Sequence, residues 1–228
     1  DVVMNHSGYA TLKDMCDFGF GVGGDGGDPC NEWIPGNGQT YHNKPISEKP
    51  DSRWDSWWGK DWLRFGGYGG CGGDDLTKCQ EYLPDFKNEP NGPSVGIPTF
   101  LKNKWSKPNS DYDIPAAGKF RTGNMSVVEF EANWLASWVE EFGIDGFRCD
   151  TAKHIEKASW KILKERSSAA LKKWRENNAN GDDPAAAWTD DFWMTGEAWG
   201  LGQDSDDGSG YASAGGFNSM INFSFNGS

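Results

Sequence analysis

Gly146-Phe147-Arg148-Cys149-Asp150-Thr151-Ala152-Lys153-His154 and Phe192-Trp193-Met194-Thr195-Gly196-Glu197-Ala198-Trp199 decide how this chain reads. Each is a short apolar run that stops at a carboxylate, Asp150 in the first and Glu197 in the second. A helical pattern lies between them. Strand, helix, strand in that order implies neighbouring parallel strands joined by a right-handed crossover. In a barrel of such strands the carboxyl ends converge on one face, where the loops build the site. Period two along a strand puts Arg148 on the same face as Asp150 and turns Cys149 the other way. Arg148 is therefore placed to keep Asp150 ionised and oriented, and Cys149 is expected to be a buried, unpaired thiol.

The regular pattern extends both ways. Before the first acid, Val127, Phe130, Trp134, Trp138 and Phe142 recur at three- and four-residue steps, and the spacing predicts an amphipathic helix that Gly143 stops. Between the acids, Trp160, Leu163, Leu171 and Trp174 share a second helical face, with Lys and Glu opposite. The polar run from Asn177 to Asp183 ends that helix. Beyond Glu197, Phe217 to Phe225 reads as one more strand.

Three zones result. Residues 1–8 read as a strand end and the turn after it. Residues 9–118 are dense in Gly, Pro, Asp and Trp, with little sustained periodicity. Trp33, Trp54, Trp57, Trp58, Trp62 and Trp105 argue against disorder there, because disordered chains lack aromatics; an irregular inserted subdomain fits better, and so long an insertion is usually functional. Residues 119–228 carry the alternating helices and strands. The opening Asp1-Val2-Val3-Met4 reads as the middle of a strand, so the sequence is expected to be a fragment of something longer.

Composition narrows the function. The 228 residues carry a net charge of −12, which argues against a nucleic-acid partner, since phosphate backbones need a basic surface. No segment has the apolar length of a membrane span. Thirteen Trp is more indole than a core of this size needs, so some should line a groove. Of the five Cys, Cys16 with Cys30 and Cys71 with Cys79 form local pairs; small-loop disulfides of an exported protein and free thiols both remain open. The spacing is not that of a zinc site. Asn-x-Ser/Thr sequons stand at Asn5, Asn124, Asn222 and Asn226.

Four stretches together resemble the signatures of a known family. Asp1-Val2-Val3-Met4-Asn5-His6, Gly146 to His154, and Gly196-Glu197-Ala198-Trp199 are similar to three signature regions of the α-amylase family of glycoside hydrolases. Leu83-Pro84-Asp85 is similar to the motif that family carries late in its inserted B domain. The stretches from Asn5 to Leu12 and Phe192 to Gly200 look most like the family's bacterial periplasmic members. The likeness covers nearly the whole chain and is loosest between residues 16 and 75.

The resemblance implies an α/β fold: a partial (β/α)8 TIM barrel, about strands 3–6, with the irregular B domain inserted after strand 3. It implies retaining endo-hydrolysis of α-1,4-glucosidic bonds in starch or maltodextrin, by a monomer in the periplasm or outside the cell. Asp150 would be the nucleophile, Glu197 the acid and base, and Arg148 their cationic neighbour. Retention asks for carboxyl groups about 5–5.5 Å apart, and burial beside Asp150 should raise the Glu197 pKa. His6, Lys153 and His154 would contact sugar. Asn5, Asp85 and the main-chain carbonyl of His154 would bind Ca2+, a cation that takes hard oxygen ligands, with Asp75 or Asp74 completing the set.

The resemblance also leaves gaps. The signature carrying a third catalytic acid and a histidine, and the first two strands with their aromatic platform, are not in these residues. About half of an eight-stranded barrel would expose sheet edges and core, so the 228-residue chain alone is expected to be inactive. A maltodextrin hydrolase or glucanotransferase of the same family is the nearest alternative. A non-catalytic glycan-binding relative would have lost its acids, and an unrelated calcium-binding adhesion module would leave the acid-ended strands unexplained.

Overall fold

The computed structural model describes residues 1–6, 58–64, 72–78, 80, 85–98, 101–102, 123–200 and 209–223. The two expected cysteine pairs, most of the aromatic insertion and the end of the last expected strand lie outside the described residues. The chain divides into two compact units. The first comprises Asp1–Met4, Asn88–Ser94 and Asp113–Ser228; the second comprises Asn5–Lys87 and Val95–Tyr112.

The first unit holds the helices and strands: α1 (Val127–Phe142), β1 (Gly146–Cys149), α2 (Lys157–Asn178), β2 (Trp193–Gly196), α3 (Tyr211–Gly215) and β3 (Ser219–Met220). The strands lie in the order β1-β2-β3, all parallel, with Arg148 opposite Thr195 and Thr195 opposite Ser219. Val2 adds a parallel bridge to Cys149 on the other side of β1. The expected parallel sheet is present. Among the described residues the last strand is shorter than its apolar run suggests, because α3 and the three residues after it deliver only Ser219 and Met220 to the edge of β2.

α1 begins and ends for local reasons. At the start of α1 the Glu129 carboxylate accepts from both the Ser126 N–H and the Ser126 hydroxyl, at 3.0 Å each. At its end Gly143 takes φ 67°, and its N–H bonds the Val139 carbonyl. A Cβ on Gly143 would lie 2.4 Å from the Trp174 ring, so glycine also lets α2 approach.

α2 buries the face that its spacing predicts: Trp160, Leu163, Leu171 and Trp174 all lie in the core. α1 differs in detail. Its most buried stripe is Val128, Ala132, Ala136 and Val139, whereas Trp134 and Trp138 are half-buried and Phe142 is 59% exposed. Small side chains at 132 and 136 suit close helix packing, and Trp138 and Phe142 stack on each other at 5.5 Å instead. Phe147, Cys149, Phe192 and Met194 join the same core from the strands.

The second unit is described in part. Segments 5–6, 62–64 and 85–87 run antiparallel through the bridges His6 to Asp85 and Leu63 to Phe86. Bonds from Phe86 N–H to the Asn5 carbonyl, Arg64 N–H to the Asp85 carbonyl and Lys87 N–H to the Trp62 carbonyl, each 2.8 Å, hold them. Trp58, Trp62 and Phe86 pack there as an aromatic cluster.

Candidate active site

Burial along β1 alternates as period two requires. Phe147 and Cys149 are buried, while Gly146, Arg148 and Asp150 are partly exposed on the other face. Cys149 is a free thiol, and burial pushes its pKa up to about 12, so it is inert at neutral pH. Arg148 and Asp150 thus share one face, as expected, and Glu197 follows directly on β2.

Three main-chain hydrogen bonds fix the two acids beyond the strands that carry them. The Glu197 N–H bonds the Cys149 carbonyl at 2.8 Å, and the Glu197 carbonyl accepts from the Ala152 N–H at 2.7 Å. The chain at Glu197 is therefore clasped on both sides by the segment around Asp150. From the other direction the Asp150 N–H bonds the Val2 carbonyl at 2.9 Å. Below Glu197, Gly196 faces β3 so closely that a Cβ would meet Met220 at 2.6 Å.

Charge converges at this point. Arg148 Nη2 donates to Glu197 Oε2, and Nη1 lies 3.5 Å from Asp150 Oδ1 and 3.6 Å from Asp1 Oδ2. One cation serves three carboxylates. A hydrogen bond donated to the Asp150 carboxylate raises the Glu197 pKa above its ordinary value, with burial and the Asp150 charge adding to the rise and Arg148 opposing it. Like acids in contact disfavour double ionisation, and here the rise falls on Glu197.

The turn after Asp150 holds an unusual conformation. Thr151 has φ 52°, the sole positive φ at a non-glycine position among the described residues. This left-handed geometry is uncommon for a β-branched residue and marks stored strain. Its N–H lies 3.0 Å from Asp150 Oδ1 and steadies that carboxylate. The turn continues into a short 3-10 helix, Ala152–His154, whose Ala152 carbonyl accepts from Trp160 Nε1 at 3.0 Å. Lys153 is partly exposed on this turn and His154 is buried.

The expected metal residues divide between the units. Asn5, Asp75 and Asp85 belong to the second unit, as does His6, expected to contact sugar, and His154 belongs to the first. Asn5 and Asp85 are 0% and 1% exposed, and the antiparallel bridge pairs Asp85 with His6, the residue after Asn5. His6 Nδ1 lies 2.6 Å from Asn5 Oδ1. Asp85 Oδ2 accepts from Arg64 Nε at 2.8 Å, while Oδ1 is buried with no hydrogen-bond partner among the described residues. Burial raises the Asp85 pKa to about 7 against the pull of Arg64. A carboxylate oxygen sealed from water without a hydrogen-bond donor is a fitting place for a hard cation. Asp75 and Asp74 are exposed instead: Asp75 pairs with Lys78 at 2.6 Å, and Asp74 caps its own turn at Leu76 and Thr77. Among the described residues no three His, Cys, Asp or Glu side chains cluster as a metal group.

Several contributors escape a reading of the sequence. Asp1 beside Arg148 had a faint signal, since it opens a strand adjacent to β1. The Thr151 main chain, Trp160 and Arg64 had none, because their roles depend on tertiary contacts. No described helix is long and apolar enough to cross a membrane.

A family model described as alpha amylase, catalytic domain, matches residues 40–228. The chain is 42% identical over 240 aligned positions to the periplasmic alpha-amylase of Escherichia coli strain K12. That match covers 99% of this chain and 32% of the relative, so the chain spans about a third of that protein's length. Among solved structures, an Anoxybacillus alpha-amylase aligns with 98% of this chain and 29% of its own, at 16% identity and a TM-score of 0.42.

Proposed function

Because the chain belongs to the α-amylase catalytic-domain family, we propose that the protein it represents is a retaining endo-hydrolase of α-1,4-glucans such as starch and maltodextrin. The observation that carries this reading is the contact of Glu197 with both Asp150 and Arg148 at neighbouring strand ends. Retaining enzymes hold their carboxyl groups about 5–5.5 Å apart, whereas inverting enzymes leave about 6.5–9.5 Å for a water. Acids near enough to hydrogen-bond favour retention.

In the first step Asp150 attacks the anomeric carbon while Glu197 gives its proton to the leaving glycosidic oxygen. An ester to Asp150 forms and the sugar–sugar bond breaks. Water then attacks the ester as Glu197 takes back a proton, and two inversions restore the starting configuration. Arg148 keeps Asp150 anionic for attack, and the Thr151 N–H orients it. His6, Lys153 and His154 are assigned to sugar contacts by their places in the family's signatures.

On this reading the three strands and the segment 1–4 are strands 3–6 of an eight-stranded barrel, and residues 9–118 are its inserted B domain. By their places in the family's signatures, the buried Asn5 and Asp85 are assigned to holding Ca2+. That ion would supply a structural tie, and the proton and bond chemistry belongs to the side chains. Placement in the periplasm or outside the cell follows from the E. coli relative.

The test is to follow starch digestion by the full-length protein with proton NMR. Retaining hydrolysis gives linear oligosaccharides whose new reducing ends appear first as the α-anomer. First appearance of the β-anomer would overturn the mechanism, and cyclic or transferred products would favour the glucanotransferase alternative.

A further inference from the structure

We propose that Arg64 is a resident counter-charge that weakens and makes reversible the cation site at Asn5 and Asp85; this rests on the calcium reading above. Arg64 meets Asp85 twice: its Nε lies 2.8 Å from Oδ2, and its main-chain N–H bonds the Asp85 carbonyl at 2.8 Å. The second contact belongs to the antiparallel ladder, so the backbone itself delivers the guanidinium to this carboxylate. Asp85 is 1% exposed, and its Oδ1 has no hydrogen-bond partner among the described residues.

The two oxygens of Asp85 therefore have different tasks. Oδ2 is committed to Arg64, and Oδ1 is left for a cation. An ion bound there takes one oxygen instead of two and faces a fixed positive charge across the same carboxylate. Calcium affinity follows the charge and number of ligands, so Arg64 lowers it. In return Arg64 neutralises a buried anion whenever the metal is absent, which an unpaired carboxylate in so dry a place would otherwise make costly. The metal-free protein stays folded and the ion can exchange.

The experiment uses the full-length protein stripped with a chelator, with R64Q, R64K and D85N beside the wild type. Calcium binding is read by calorimetry and stability by thermal melts with and without calcium. R64Q should bind calcium tighter by about tenfold or more, since one positive charge leaves the vicinity of a divalent ion. Its melting temperature should fall below wild type in chelator and recover in calcium. R64K, which keeps the charge, should stay near wild type in affinity, and D85N should lose binding. A purely structural arginine would instead give R64Q the same loss of stability in both conditions, with calcium affinity unchanged or weaker, and that result overturns the proposal. If the wild type itself binds no calcium, the calcium reading fails and the role of Arg64 goes with it.

Discussion

Asp150 and Glu197 end neighbouring parallel strands, and a hydrogen bond between their carboxyl groups holds a proton on Glu197. That proton is what the proposed chemistry spends first. The raised pKa means that Glu197 keeps it at a pH where a free glutamate has lost it. Activity of the full-length protein should therefore fall on the alkaline side as Glu197 deprotonates, with the limb above the ordinary glutamate range. Arg148 lowers the Glu197 pKa, so R148M should move the alkaline limb to higher pH. It should move the acid limb up as well, because Asp150 loses its cationic neighbour. A kcat lower by about a hundredfold or more should accompany the shift. The measurement is a pH–rate profile of both proteins on soluble maltooligosaccharide, and an alkaline limb that moves down in R148M would contradict the assignment.

The two acids should also separate by leaving group. E197Q should lower kcat on starch by about 10²–10⁴-fold, the range for a lost general acid. A glucosyl substrate whose leaving group needs no proton should restore the first step in E197Q, seen as a burst of released leaving group. D150N should show no such burst, since the attacking oxygen is missing. Stopped-flow release of a nitrophenol from both variants decides this.

Gly196 is set by packing, next to the acid. G196A drives a methyl toward Met220 at 2.6 Å and Phe217 at 2.9 Å. Destabilisation by about 1–3 kcal/mol is expected, and because Glu197 follows directly, kcat should fall too. Pairing it with M220A should recover part of the stability, a coupling that a double-mutant cycle of denaturant midpoints would reveal. Strict additivity would mean that Met220 is not the obstacle.

Trp160 links the core to the turn beyond Asp150. W160F keeps most of the ring but removes the donor to the Ala152 carbonyl. A lost partner of this kind costs about 1–3 kcal/mol. Since the same turn carries Lys153 and His154, KM should rise more than kcat falls. Steady-state kinetics with a melting curve would check both halves.

Much of this was legible in the chain because the decisive patterns are local. Period two along Gly146 to Asp150 correctly set Arg148 and Asp150 against Cys149, and the Trp160, Leu163, Leu171 and Trp174 stripe matched the buried face of α2. Where packing partners choose between two apolar faces, local pattern fell short: α1 buries its alanines and leaves Phe142 largely exposed. The extent of β3 depends on what β2 offers as an edge, which no stretch of sequence states. At the site, the acids announced themselves by ending strands. Arg64 and Thr151 did not, since one is placed by an antiparallel ladder and the other by a strained turn.

Everything proposed for the chemistry requires that Asp150 carry the sugar between the two steps. The direct measurement is to treat the full-length protein with an activated fluorosugar that forms the glycosyl ester quickly and loses it slowly, then map the label by peptide mass spectrometry. A single adduct on Asp150, absent from D150N, is the predicted result. Turnover without any adduct, or a label on another carboxylate, would contradict it.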